Sequence, residues 1–394
     1  MSKPSEFKIS QLIGSVFVPS ALFSIGEYAL IPIIPASASH LGADLPTAAL
    51  IAGFVMLGTL LADIPAARFV NAVGERMAMM WSSLAAMAGI FVAALASNIY
   101  ALGTAVLMVG AAAAVFALAR HGYMAEHVPI SHRARALSFL GGTFRAGAFL
   151  GPLLTAAVIA VAGITSVFVL CIAFWLAAAG ALLFNRDKTK SQAVSTPMSY
   201  TLEIVRREKK KLLTVGVGAT ILGVLRTTRQ VGIPLWALHI GLSAEKTALV
   251  IGLAGILDFA LFYTSGQVMD KFGRRAAAVP TMIGLSIAHM LIFTATNEQT
   301  FFALAIVMAL ANGLGSGLVL TLGADLAPVD ARNEFLAGYR LLIDGGVAAA
   351  PPALAALAAT VGLATGMIGF GVLGLAGAAL LHRYIPEFVQ HQKR

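Results

Sequence analysis

Apolar runs of roughly twenty residues recur along the whole chain, each long enough to cross about 30 Å of hydrocarbon as an α-helix. Twelve are read, at 12–35, 46–67, 77–97, 99–120, 136–161, 164–184, 212–236, 247–269, 276–296, 300–325, 335–359 and 362–384. They consist mainly of Ala, Leu, Val, Ile and Gly, without the polar alternation of a membrane strand. A span must also close its own backbone hydrogen bonds, which a helix does. The expected fold class is therefore all-α membrane protein with twelve transmembrane helices. Composition excludes the soluble alternative. Only 11% of residues are charged and 59% are hydrophobic, whereas a soluble domain carries about a quarter charged residues. No small-residue cleavage site follows the basic start at Lys3 and Lys8, so the first run is read as a retained anchor rather than a signal peptide.

The net charge of +9 is unevenly placed. Eight Lys or Arg residues fall between 185 and 211, and most others lie at the termini or in loops on the same side. The opposite loops hold only Lys246. Basic loops stay inside, so both termini and the 185–211 linker are expected in the cytoplasm, with the bundle in a bacterial-type inner (plasma) membrane. Clustered at topologically fixed loops, these charges point to an anionic lipid surface and not to nucleic acid. The single Cys171 forms no internal disulfide.

The chain is duplicated at an offset of 199 residues. His40, Gly42, Gly53, Gly74, Arg76, Pro129, Arg133, Pro152 and Gly163 fall on His239, Gly241, Gly252, Gly273, Arg275, Pro328, Arg332, Pro351 and Gly362 without a gap. Six spans per half give both halves the same orientation, the parallel repeat of many transporters. Expected domains are a six-helix bundle at 1–184, the basic linker at 185–211 and a second, pseudo-symmetric bundle at 212–394. The stretches QVMDKFGRR (267–275) and RFVNAVGER (68–76) are then one loop in two copies.

That loop carries a resemblance. GQVMDKFGRR, with Asp270, Gly273, Arg274 and Arg275, resembles the signature loop between the second and third helices of a half in the major facilitator superfamily. The first copy keeps Gly74 and Arg76 but has Asn71 for the acid and Glu75 for one base. GAFLGP, with Gly147, Gly151 and Pro152, resembles part of a motif of that superfamily's exporters. The fourth span holds no Arg before Arg120, so the fourth-helix arginine motif of proton-coupled drug exporters is not matched. The resemblance implies the major facilitator fold and, as its nearest branch, a twelve-helix drug/proton antiporter. Asp270 with its basic neighbours, Glu126 with Arg133 and Asp325 with Arg332 are expected to form an inner gating network.

Ionisable residues inside the spans are costly and point to function. They are Glu27, Asp63, Arg145, Arg226, Arg229, Asp258, Arg340 and Asp344, four acids against four bases. The offset sets Glu27 on Arg226 and Arg145 on Asp344, which suggests pairing across the two-fold axis; Arg145 with Asp258 is the rival pair. An acid that binds either a proton or a substrate charge is what an alternating-access antiporter needs, and the superfamily's drug exporters often carry one in the first helix. Glu27 is therefore the first choice for proton coupling, with Asp258 or Asp344 second and Arg145, Arg226 and Arg229 as counter-charges. The expectation is a monomeric, proton-coupled exporter of small amphipathic compounds. The alternatives are an organic-anion or metabolite carrier using the three arginines, and a lipid flippase. No nucleophile–base constellation marks an enzyme and no nucleotide motif marks an ATP-driven pump. No cofactor is implied, and His40 and His239 are too few ligands for a metal site. The glycine run NGLGSG at 312–317 lacks the Lys-Ser/Thr of a phosphate loop and is read as close helix packing.

Overall fold

The structure is a computed structural model, describing residues 12–184 and 198–388. Among them there are helices and turns and no strand. The first half comprises α1 (Ile13–His40), α2 (Leu45–Val73), α3 (Glu75–Ala94), α4 (Ile99–His127), α5 (Ile130–Ala162) and α6 (Ser166–Phe184). A short helix, α7 (Met198–Arg207), precedes α8 (Lys209–His239), α9 (Ala244–Phe272) and α10 (Arg274–Met290). Then come α11 (Glu298–Leu314), α12 (Leu318–Leu326), α13 (Arg332–Thr360) and α14 (Leu363–Phe388).

Eleven of the described helices are long and apolar enough to cross a membrane, with α11 and α12 together forming one. The expected span at 276–296 is the shortfall. Its helix, α10, has 17 residues and gives way at Leu291 to a 3-10 turn over Ile292–Thr294. The fourth span, expected to stop at residue 120, instead continues as helix to His127.

The duplication is visible in the backbone. Glycines at positive φ stand at 42 and 241, 74 and 273, and 163 and 362, each pair 199 apart. Gly74 and Gly273 cap α3 and α10 at φ 84° and 86°, a conformation that a Cβ would strain. Asn98 and Asn297, also 199 apart, each accept a backbone N–H three residues on and start α4 and α11.

The chain forms two compact units. One holds the chain through Gly42, residues from Phe54 through α6, and Ala244–Gly252; the other holds Ala43–Gly53, α7 through Ser243, and the chain from Leu253. In the first unit, small residues let helix backbones meet. A Cβ on Gly110 would strike the backbone of Val55, and one on Gly58 would strike that of Leu107, so α2 and α4 approach at their glycines. Thr59 Oγ1 donates across the same seam to the Gly110 carbonyl at 3.1 Å. Gly147 and Gly151 of the exporter-like stretch press on the α1 backbone at Ser24 and Ala29, and Pro152 lies buried within α5. Phe23 stacks on Phe116, and the Trp175 indole donates to the Phe23 carbonyl at 3.1 Å.

In the second unit, α7 packs on the bundle through Ile204, 2% exposed, and through Val205, which covers Gly338 of α13. Arg207 donates to both oxygens of Asp330 at 2.8 and 3.0 Å, and Lys211 to the Leu326 carbonyl at 3.2 Å. The described part of the basic linker is thus held by the protein itself.

Two outcomes follow. Gly110→Val should lower the thermal midpoint of the purified protein by several degrees, because the atoms it meets are main chain and cannot yield. Gly180→Ala, at a glycine with nothing within 4 Å, should leave it unchanged. Hydrogen bonds from Arg207 hold the Asp330 carboxyl below its usual value of 3.8. A depressed acid contributes stability above its unfolded value and loses it as pH falls through the folded one. Protection of 198–207 from hydrogen exchange should therefore drop only below pH 3.8, and Asp330→Asn should remove that dependence.

Candidate functional site

In the first unit, α1 carries Glu27 and α4 carries Arg120, whose positive charge acts on the Glu27 carboxyl. Arg120 is 6% exposed, and its guanidinium lies 4.4 Å from the centre of the Phe144 ring on α5. Tyr28 meets the same ring edge-on at 5.7 Å. A buried guanidinium and two aromatic rings from α4, α5 and α1 thus share one cluster, and the Glu27 carboxyl lies within the field of that guanidinium. A cation over an aromatic face gains when water is excluded. Arg145 follows Phe144 on α5 and is half-buried, as is Asp63 on α2.

In the second unit, a polar chain links α8, α11 and α9. Arg226 Nε donates to Asn312 Oδ1 at 2.8 Å, and Asn312 Nδ2 donates to Asp258 Oδ2 at 2.5 Å. Arg229 Nη1 donates to that same oxygen at 3.3 Å. The Arg229 and Asp258 side chains are only 17% and 16% exposed, so these bonds work at low local dielectric. Asn312 is the hub: its carbonyl takes the base and its amide serves the acid.

The glycine run supplies the rest. The helix stops at Leu314, turns through Gly317 at φ 75°, and restarts as α12. Carbonyls freed there are met by side chains, Gly315 by Arg226 at 2.8 Å, and Leu314 and Ser316 by the single hydroxyl proton of Ser265, which they share at 2.6 and 3.0 Å. Irregular backbone at membrane depth persists only where it is satisfied this way. Arg340 and Asp344 pair along α13 at 3.2 Å and are more open, at 60% and 33% exposure.

The duplicated loop is also resolved. Arg274 donates to Asp325 at 2.7 Å and to the Met269 carbonyl at 3.1 Å, and lies 3.7 Å from Asp270. Arg275 meets His382 at 2.9 Å. Arg76, its counterpart, donates to the Leu182 and Leu183 carbonyls at 2.6 and 2.9 Å. Since 183 and 382 are offset equivalents, both arginines reach the same point of the sixth span in their half. The first half has no copy of the Arg274–Asp325 pair because the matching positions, Glu75 and Glu126, are both acids. Glu75 is buried, 4% exposed, and its side chain lies along Gly122, while Glu126 is exposed. Arg332 is exposed at the start of α13; the Arg133 side chain lies outside the described residues.

Sequence reasoning passed over Arg120, Asn312 and Ser265. Arg120 was placed at a span end, and the other two carry no charge to mark them. Among the described residues no three His, Cys, Asp or Glu side chains come together as a metal site.

Solved structures share the architecture. A POT family transporter in complex with a thioalcohol-conjugated peptide aligns at TM-score 0.80 and 11% identity, covering 95% of this chain and 96% of that one. A bacterial homologue of the human lysosomal transporter Spinster aligns at 0.77 and 13% identity over 100% of both chains. A D-xylose–proton symporter aligns at 0.75 and 15% over 98% and 99%. At these identities the likeness is one of fold. No curated protein matches by sequence. The family model of the Major Facilitator Superfamily matches residues 16–266 and 215–394, together nearly the whole chain, and the protein therefore belongs to that superfamily of membrane transporters.

Proposed function

We propose that the protein is a proton-coupled secondary transporter that exports small amphipathic compounds by alternating access. The observation that carries this reading is Glu27 in the first spanning helix, within the field of Arg120, whose guanidinium packs with Tyr28 on the Phe144 ring. A carboxyl there can hold a proton or face a cation, not both. A substrate cation reaching the aromatic cluster competes for the carboxylate, and the displaced proton leaves to water. Opening of the site to the other side then lets a proton return and release the substrate. The D-xylose–proton symporter supports proton coupling on this fold by analogy alone.

In this reading the Asp270, Arg274 and Asp325 contacts act as a gate at the loop end, broken and remade in each cycle. Basic loops put that end, and both termini, in the cytoplasm of a cell with its transporters in the plasma membrane. A second reading, an organic-anion carrier, is favoured by one observation: α8 sets two guanidiniums, Arg226 and Arg229, in the same network as the single carboxylate of Asp258.

The test is proton release from detergent-purified protein on addition of lipophilic cations, neutral compounds and organic anions. Release with cations, abolished in Glu27→Gln, is the expected result. Silence with cations, together with saturable anion binding lost in Arg226→Ala, overturns it in favour of the anion carrier. In either case Asn312→Ala should cut transport in proteoliposomes by about tenfold or more. It leaves Arg226 and Asp258 each short of a buried hydrogen bond, worth about 1–3 kcal/mol, so its thermal midpoint should fall as well.

A further inference from the structure

The short helix α7 and the first turn of α8 have two faces of different character. One is consumed by the protein. Ile204 is buried, Arg207 holds Asp330, and Lys211 holds Leu326 and Glu208. Lys210 reaches Glu387 at 2.6 Å and lies 5.5 Å from the centre of the Phe388 ring. The other face is open. Leu202 is 51% exposed and Leu213 is 66% exposed. Between them Arg206 and Lys209 are exposed and have no hydrogen bond or ion pair among the described residues. Residues 202 and 206 follow the i, i+4 spacing of one face of α7, opposite Ile204, and Lys209 opens α8 after the turn at Glu208. Glu203 is the one exposed acid beside them.

This surface sits where the chain enters an apolar span at Leu212. A soluble anion would need the two cations but would gain nothing from the leucines. A phospholipid uses both, since its phosphate meets the Arg and Lys while its glycerol–acyl boundary covers the Leu side chains. We propose that Arg206, Lys209, Leu202 and Leu213 form a docking surface for the headgroup of an anionic phospholipid, held in place because the opposite face of α7 is pinned to the bundle. The proposal does not depend on what the protein transports.

The experiment uses the full-length protein in nanodiscs of phosphatidylcholine with and without phosphatidylglycerol. It reads hydrogen exchange of 198–213, the thermal midpoint, and phosphatidylglycerol retained on the protein in native mass spectrometry. Wild type should gain protection, midpoint and bound lipid from phosphatidylglycerol. The Arg206→Gln/Lys209→Gln double variant should retain about tenfold less and lose both gains, while matching wild type in phosphatidylcholine alone. Leu202→Gln should give an intermediate loss. An undiminished phosphatidylglycerol effect in the double variant overturns the proposal. So does inorganic phosphate reproducing the wild-type effect in phosphatidylcholine, which would make the surface a soluble-anion site. A double variant already unprotected in phosphatidylcholine would likewise overturn it, since those side chains would then be needed for docking of α7 itself.

Discussion

Hydrocarbon offers no partner to a backbone carbonyl or a charged side chain, and the rest of this structure follows from that constraint. Where the main chain stays helical it costs nothing further. Where it breaks, at Leu314–Leu318, the carbonyls of Leu314, Gly315 and Ser316 are met by side chains from neighbouring helices, Arg226 from α8 and Ser265 from α9. The break and the charge network are therefore one construction. Arg226 is tied at one nitrogen to the carbonyl that the break exposes and at another to Asn312, which in turn holds Asp258. Removing any member leaves at least one buried polar group short of a hydrogen bond, which is why such networks resist partial change.

The duplication shows which features are scaffold and which are chemistry. Positions that set geometry are kept at the 199-residue offset: the positive-φ glycines, the Asn caps of α4 and α11, and the arginines that reach the same point of the sixth span. The charged positions of the polar interior are not kept. Glu27 stands where the second half has Arg226, Thr59 where it has Asp258, and Glu75 where it has Arg274. Thr59 serves packing, donating to Gly110 across the α2–α4 seam, whereas Asp258 serves the buried network. The two halves thus share a frame and hold different polar interiors.

How much of this could be read in the sequence depends on the strength of each signal. Span positions and the repeat are written in long apolar runs and in glycines at fixed spacing, so they survive errors of a few residues. The polar clusters are written in single side chains. Arg120 was misplaced because the apolar run of α4 ends there while the helix continues to His127, so a buried arginine looked like a loop residue. Asn312 carries no charge, and nothing in NGLGSG says that its amide faces an acid on one side and a base on the other. The partner of Asp325 was equally hidden: Arg274 and Arg332 are both basic, and only the turn at Gly273 decides which one reaches it.

The polar pairs of the second unit share one property. Arg229–Asp258, Arg226–Asn312 and Arg274–Asp325 are each closed inside one unit. Bonds of that kind form as the unit itself folds, so their desolvation cost is met there by partners the unit supplies. Glu27 stands apart from these pairs, a carboxyl in the field of a guanidinium packed on an aromatic ring. A small displacement of Arg120 along that ring changes the field at the carboxyl without exposing any other charge. In a protein that can ill tolerate unpaired charge, that carboxyl is where the shift of one side chain alters the local charge balance at least cost.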